Sequence, residues 1–145
     1  KIDKSKPETS APNATSPSKG TVMNDGTAVN GIGGVSVLIH DGTVFDTWAD
    51  ELLDVQAATA QPRTAIGYDA SAKKLFFFVC EGRNMTEGVT GLTTAQVAKT
   101  LKGLGCTEAL NLDGGGSSCM LVNGKQTIKP SDGKERAVLD ACYIR

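Results

Sequence analysis

The stretch Asn111-Leu112-Asp113-Gly114-Gly115-Gly116-Ser117-Ser118 carries the densest chemistry in this chain. Its three glycines let the backbone approach a ligand closely and adopt conformations closed to other residues. Asp113 before them and the hydroxyls of Ser117 and Ser118 after them crowd polar groups into the same small space. Apolar runs flank it, Ala109-Leu110 upstream and Met120-Leu121-Val122 downstream. Strand interiors tolerate glycine poorly, so a glycine triplet between β-like runs marks a binding turn or a flexible loop. It is not a nucleotide phosphate loop, which needs a Lys-Ser/Thr pair opening a helix. Backbone N–H groups in such a turn can still form a nest for an anion.

Further ordered segments accompany this turn. They are Pro62-Arg63-Thr64-Ala65-Ile66-Gly67, Glu81-Gly82-Arg83, Gly91-Leu92-Thr93-Thr94 and Arg136-Ala137-Val138. Taken with the glycine turn, the set resembles the phosphodiester glycosidase family over roughly residues 20 to 145. Two departures stand out. Glu81 replaces the Asp of the family's Asp-Gly-Arg, and the Asn-Gly-Gly-Tyr/Phe-Phe-like motif that usually opens the domain is absent. The expectation is a domain lacking recognisable N-terminal strands, as a fragment, with a companion segment that carries them, or with that segment diverged beyond reading.

The resemblance implies hydrolysis of a bond between a sugar anomeric carbon and a phosphodiester, in a secreted or cell-surface glycan. That chemistry asks for cationic donors and carboxyl groups. Arg63, Arg83 and Arg136 offer planar guanidinium forks that match two phosphate oxygens, which lysine does not. Asp113 and Glu81 are the expected catalytic acids, since glycoside cleavage commonly uses two carboxyl groups. A phosphate is already a good leaving group, so the arginines can carry the developing charge. Thr93, Asn111, Gly114, Gly115, Gly116, Ser117 and Ser118 complete the expected binding set, although helix capping alone accounts for Thr93. No cofactor is required; Asp113, Asn111 and Glu81 are oxygen ligands suited to calcium or magnesium, and their spacing does not demand a metal. Ser117 and Ser118 lack a base within reach, because His40 sits beside a distant turn, and Cys119 lacks an electropositive neighbour.

Composition narrows the remaining classes. The chain has 145 residues and a net charge of -1, enough for one cored domain and without a basic stripe for nucleic acid. Its longest apolar run, Leu75 to Cys80, is strand-sized and cannot span a membrane. The chain opens at Lys1 without a signal peptide, as a processed form would. Cys80, Cys106, Cys119 and Cys142 lack metal-site spacing and read either as buried thiols or as one or two disulfides. The resemblance favours a secreted, periplasmic or cell-surface location.

The expected fold is α+β, a mainly antiparallel twisted sheet of hairpins with one amphipathic helix packed on it. Residues 1–20 read as a flexible loop or tether and 21–145 as the domain. Hairpins are expected around Asp41-Gly42, Asp69-Ala70-Ser71 and Asn123-Gly124, with a closing strand over Ala137 to Ile144. The run Leu75-Phe76-Phe77-Phe78-Val79 suggests a central strand buried on both faces. Thr93 and Gln96 form a capping box, and Val97, Leu101 and Leu104 give the helix one apolar face. Two alternatives to an enzyme arise from the departures: a non-catalytic module binding a glycan or sugar phosphate, and an inactive fragment.

Overall fold

The structure is a computed structural model that describes residues 32–45, 47, 55–138 and 141–144. The loop or tether expected over residues 1–20 lies outside them. Five strands build the main sheet: β1 (Val37–His40), β2 (Thr43–Val44), β3 (Arg63–Asp69), β4 (Lys74–Cys80) and β5 (Glu108–Asn111). They run in the order β2-β1-β5-β3-β4, and every pairing is antiparallel. A separate ribbon pairs β6 (Leu121–Val122) with β7 (Lys125–Gln126). The fold is α+β, with one helix, α1 (Thr94–Gly103), among the described residues.

The hairpin turns follow from their residues. Asp41-Gly42 and Asn123-Gly124 take positive φ at both central positions, the backbone that matches the twist of paired strands. At the third turn, Asp69 Oδ1 accepts from the Ser71 and Ala72 amides and the Ser71 hydroxyl. These bonds, the Ser71 hydroxyl foremost, hold the Asp69 carboxyl below the usual carboxylate range.

Helix α1 closes one face of the sheet. Its capping box is complete: Thr93 Oγ1 accepts from the Gln96 amide at 3.2 Å, and Gln96 Oε1 accepts from the Thr93 amide at 2.8 Å. Val97, Ala98 and Leu101 pack with Leu38, Ile39, Ala65, Cys106 and Ala109 into one core. Gly67 is needed there, since a Cβ would come within 2.7 Å of Cys106 Sγ and 3.2 Å of Leu101 Cδ2. Phe76 and Phe78, opposite Gly67 and Ala65 on β4, are partly buried and pack against this core.

Three expectations change. Strand β4 lies at the sheet edge, and its residues from Phe76 to Cys80 are half-buried, with Leu75 54% exposed. Strand β5 inserts between β1 and β3, so β4 pairs with β3 on one side only, and Phe76 and Phe78 of its aromatic run pack against the core. Leu104 caps the helix and is 49% exposed; the buried stripe is Thr94, Val97, Ala98 and Leu101. No strand forms among the described residues of 137–144. All four cysteines are free thiols, with Cys106 buried and Cys119 and Cys142 exposed.

Candidate functional site

Strands β3 and β5 lie side by side and antiparallel, so β5 ends at the rim of the sheet where β3 begins. The residues after Asn111 therefore fold over those before Arg63. Leu112 N donates to Thr64 O at 2.9 Å and Gly115 N to Pro62 O at 2.9 Å. These bonds pull the glycine turn down onto the start of β3. Gly115 to Ser117 form a 3₁₀ turn, and Asp113 Oδ1 accepts from the Gly114 amide at 2.9 Å. A cavity of about 520 Å³ opens above, bounded by the turn, by Gly33 to Val35, and by Arg63, Arg83 and Arg136.

Arg63 forms the cavity's floor in a way the sequence does not announce. It is 4% exposed. Its Nε donates to Leu92 O at 3.0 Å, its Nη1 to Val55 O at 2.8 Å, and its Nη2 to Gln56 O and Thr59 O at 2.8 and 2.9 Å. Burial pushes its pKa down from the ordinary arginine value, yet such a group stays cationic across the physiological range. Four carbonyl dipoles solvate a charge that has no carboxylate partner among the described residues. The guanidinium expected to clamp phosphate is committed to the loop at 55–59.

Arg83 and Arg136 instead converge on one group, Asp132. Arg136 Nη2 and Nε reach Asp132 Oδ2 at 2.5 and 3.2 Å, and Arg83 Nη1 lies 3.5 Å from Asp132 Oδ1. Arg83 Nη2 also donates to Gln61 Oε1 at 2.9 Å, and Arg136 Nη1 to Ser117 Oγ at 3.4 Å. Both arginine side chains remain nearly half exposed, at 44% and 49%. The glycines make room for them. A Cβ at Gly115, where φ is +58°, would stand 2.9 Å from Arg83 Nη2, and one at Gly116 would collide with Asp132 and Arg136. Sequence reasoning missed Asp132, because Pro130-Ser131-Asp132-Gly133 reads as an ordinary turn, and so it folds, with Gly133 N donating to Pro130 O.

The two expected acids separate. Asp113 is exposed and lines the cavity. Glu81 does not line it; its Oε2 accepts from the Lys129 amide at 2.8 Å. That bond is the main reason its carboxyl sits below the ordinary value. Glu81 thus ties the segment carrying Asp132 and Arg136 to the turn carrying Arg83. Thr93 stays at the helix cap, and Ser118 Oγ accepts from Thr64 Oγ1 at 3.1 Å, behind the turn. Asn111 lines the cavity at 2% exposure.

Of the oxygen ligands expected to suit a metal, the cavity therefore gathers Asp113 and Asn111 without Glu81. A different trio, His40, Asp41 and Glu108, has ligand atoms within 4.8 Å of one another, at the β1–β2 turn and outside the cavity lining. There His40 Nδ1 already pairs with Glu108 Oε2 at 3.0 Å.

Comparison with known proteins gives one consistent result. The family profile for phosphodiester glycosidase matches residues 4–145. Mouse N-acetylglucosamine-1-phosphodiester alpha-N-acetylglucosaminidase is 30% identical over 111 residues, covering 70% of this chain and 21% of that protein. The SPbeta prophage-derived protein YomE of Bacillus subtilis is 40% identical over 98 residues, covering 68% of this chain and 14% of that protein. Among solved structures, the catalytic domain of the zebrafish N-acetylglucosamine-1-phosphodiester alpha-N-acetylglucosaminidase, auto-inhibited by its pro-peptide, superposes with a TM-score of 0.55. It is 30% identical, covering 69% of this chain and 34% of that chain. The chain thus spans well under half the length of these relatives.

The geometry makes two predictions. Arg83 and Asn84 hold φ of 56° and 55°, a left-handed turn that costs a non-glycine residue about 1–2 kcal/mol. Arg83→Gly should therefore be more stable than Arg83→Ala by about 1 kcal/mol in urea unfolding, reversing the usual order; an Ala variant as stable as the Gly variant would mean that the turn is not held. The second concerns acid. A carboxyl whose folded pKa is depressed contributes stability above its unfolded value, about 4.3 for glutamate. That contribution is lost as pH falls through the folded value. Glu81→Gln should accordingly flatten the fall of the urea midpoint on acidification below that range, and an unchanged slope would show that the Lys129 bond contributes nothing.

Proposed function

Because the chain belongs to the phosphodiester glycosidase family, we propose that its cavity binds a sugar 1-phosphodiester and supports hydrolysis at the anomeric carbon. The observation that carries this reading is the pair of half-exposed guanidinium groups converging over a glycine turn, with one exposed carboxylate, Asp113, in the same cavity wall. Arg83 and Arg136 receive the phosphate, their forks preset by Asp132, Gln61 and Ser117. Preset donors need not reorganise as charge builds on the departing phosphate oxygen, which is where electrostatic catalysis is strongest. Asp113 serves the anomeric carbon, as nucleophile or as base for water. Glu81 acts from outside the cavity, by holding the Lys129 segment in place.

The substrates proposed are phosphodiester-linked sugars of secreted or cell-surface glycans, such as teichoic-acid-like polymers or exopolysaccharides. A protein of Burkholderia pseudomallei described as exported has a TM-score of 0.50 and 40% identity over 55% of this chain, which supports an extracytoplasmic setting. No helix among the described residues is long and apolar enough to cross a membrane. One observation favours a second reading, a binding module without turnover: the cavity presents only Asp113 of the two expected acids.

A single assay separates the two. With a glycosyl 1-(methyl phosphate) as substrate, Asp113→Asn should lower kcat by at least about a hundredfold, and Arg83→Ala should raise KM as well. Saturable binding with no sugar released by the wild-type chain would sink the enzymatic reading and leave the binding module.

A further inference from the structure

The cavity has a second end, and its chemistry differs from that of the arginines. Asn111 is the last residue of β5, 2% exposed, where β5 runs beside the backbone of residues 34–36. Val35 N donates to Asn111 O at 2.9 Å, and Asn111 N donates to Ser36 O at 3.0 Å. The side-chain amide then donates both ways, from Nδ2 to Val35 O at 3.1 Å and to Leu112 O at 3.0 Å. Two carbonyl acceptors fix the amide's orientation, since turning it over would set oxygen against oxygen. Asn111 Oδ1 is left buried with no hydrogen-bond partner among the described residues.

An acceptor in that state is unusual. Buried polar atoms are nearly always satisfied, and one without a partner on a residue that lines a cavity is a place where a ligand group can complete the set. Only a donor fits, because both amide hydrogens are engaged and the nearby carbonyls repel any further oxygen lone pair. A donor reaching this buried oxygen must displace the rim slightly; Gly33 lines the same cavity, and glycine accommodates backbone movement.

We propose that Asn111 Oδ1 is the acceptor that reads a hydroxyl or amide N–H on the neutral sugar part of the ligand, setting sugar selectivity apart from the phosphate contacts of Arg83 and Arg136. The proposal rests on the reading of the cavity as a sugar-phosphate site. It makes Asn111 a specificity-determining residue, and it predicts selectivity for a donor at one ring position. A site built to accept from a substrate hydroxyl discriminates strongly against the analogue lacking it, because the buried group then stays unpaired.

The test uses a glycosyl 1-(methyl phosphate), its monodeoxy analogues, the matching neutral methyl glycoside and inorganic phosphate, titrated into the whole chain by NMR. One deoxy analogue should bind about tenfold to a hundredfold more weakly than the parent. In Asn111→Ala that penalty should shrink to within about twofold, while the affinity for inorganic phosphate stays at the wild-type value. If the variant unfolds, the Asn111 side-chain amide resonance of the wild type serves instead: it should move with the parent glycoside and stay still with the selective deoxy analogue. Equal binding of all the deoxy analogues, or a penalty that survives in Asn111→Ala, overturns the proposal. Failure of the phosphate reading looks different. Inorganic phosphate would then bind without dependence on Arg83, while the neutral methyl glycoside would still report on Asn111; a glycoside that leaves the Asn111 resonance unmoved overturns the proposal by itself.

Discussion

A buried positive charge with no carboxylate opposite it among the described residues organises this cavity. Removing a guanidinium from water is costly, and it is tolerated only when its donors find good acceptors. Arg63 finds them in four backbone carbonyls, drawn from the loop at 55–59 and from Leu92 at the mouth of helix α1. A lysine at this position would present one point charge where a planar fork now satisfies four oxygens. The same residue begins β3, and Pro62 just before it supplies the carbonyl that holds Gly115. Helix entry and loop are therefore referred to one side chain, and the glycine turn to the backbone just before it, and the cavity's shape follows from that.

Above this floor the chain accepts local strain to gain reach. Arg83 occupies a left-handed turn that glycine would fill more comfortably. In return its guanidinium lies against Gly115, close to where Arg136 arrives from the other side. Two like charges this near each other repel, and Asp132 between them offsets the repulsion while fixing their orientation. The segment carrying Asp132 is in turn held by Glu81 through the Lys129 amide. Strain and like-charge crowding of this kind persist where surrounding structure enforces them, typically around a functional site.

Much of the fold is legible in the sequence because its signals are local. Asp41-Gly42 and Asn123-Gly124 demand their turns, and Thr93 with Gln96 demands a helix start. What escapes is set by long-range pairing. The aromatic run of β4 looks central, yet it sits at the edge because β5, distant in sequence, pairs with both β1 and β3. The site divides in the same way. The glycine turn, Asp113, Arg83 and Arg136 are legible as residue types and do meet at one cavity. Residue type alone cannot separate an arginine that binds carbonyls, Arg63, from one that faces solvent, Arg83. Nor can it reveal that Asp132, in an ordinary turn, bridges two cations, or that one oxygen of Asn111 is left without a partner among the described residues.

Which bond breaks is the central question, since the same arginines could equally support attack at phosphorus. Hydrolysis of a glycosyl 1-(methyl phosphate) by the chain in ¹⁸O-labelled water, with mass analysis of both products, answers it directly. The account predicts label in the anomeric hydroxyl of the released sugar and none in methyl phosphate. Label in the phosphate product would contradict it, because the cavity would then be a phosphodiesterase site and Asp113 would have no anomeric carbon to serve.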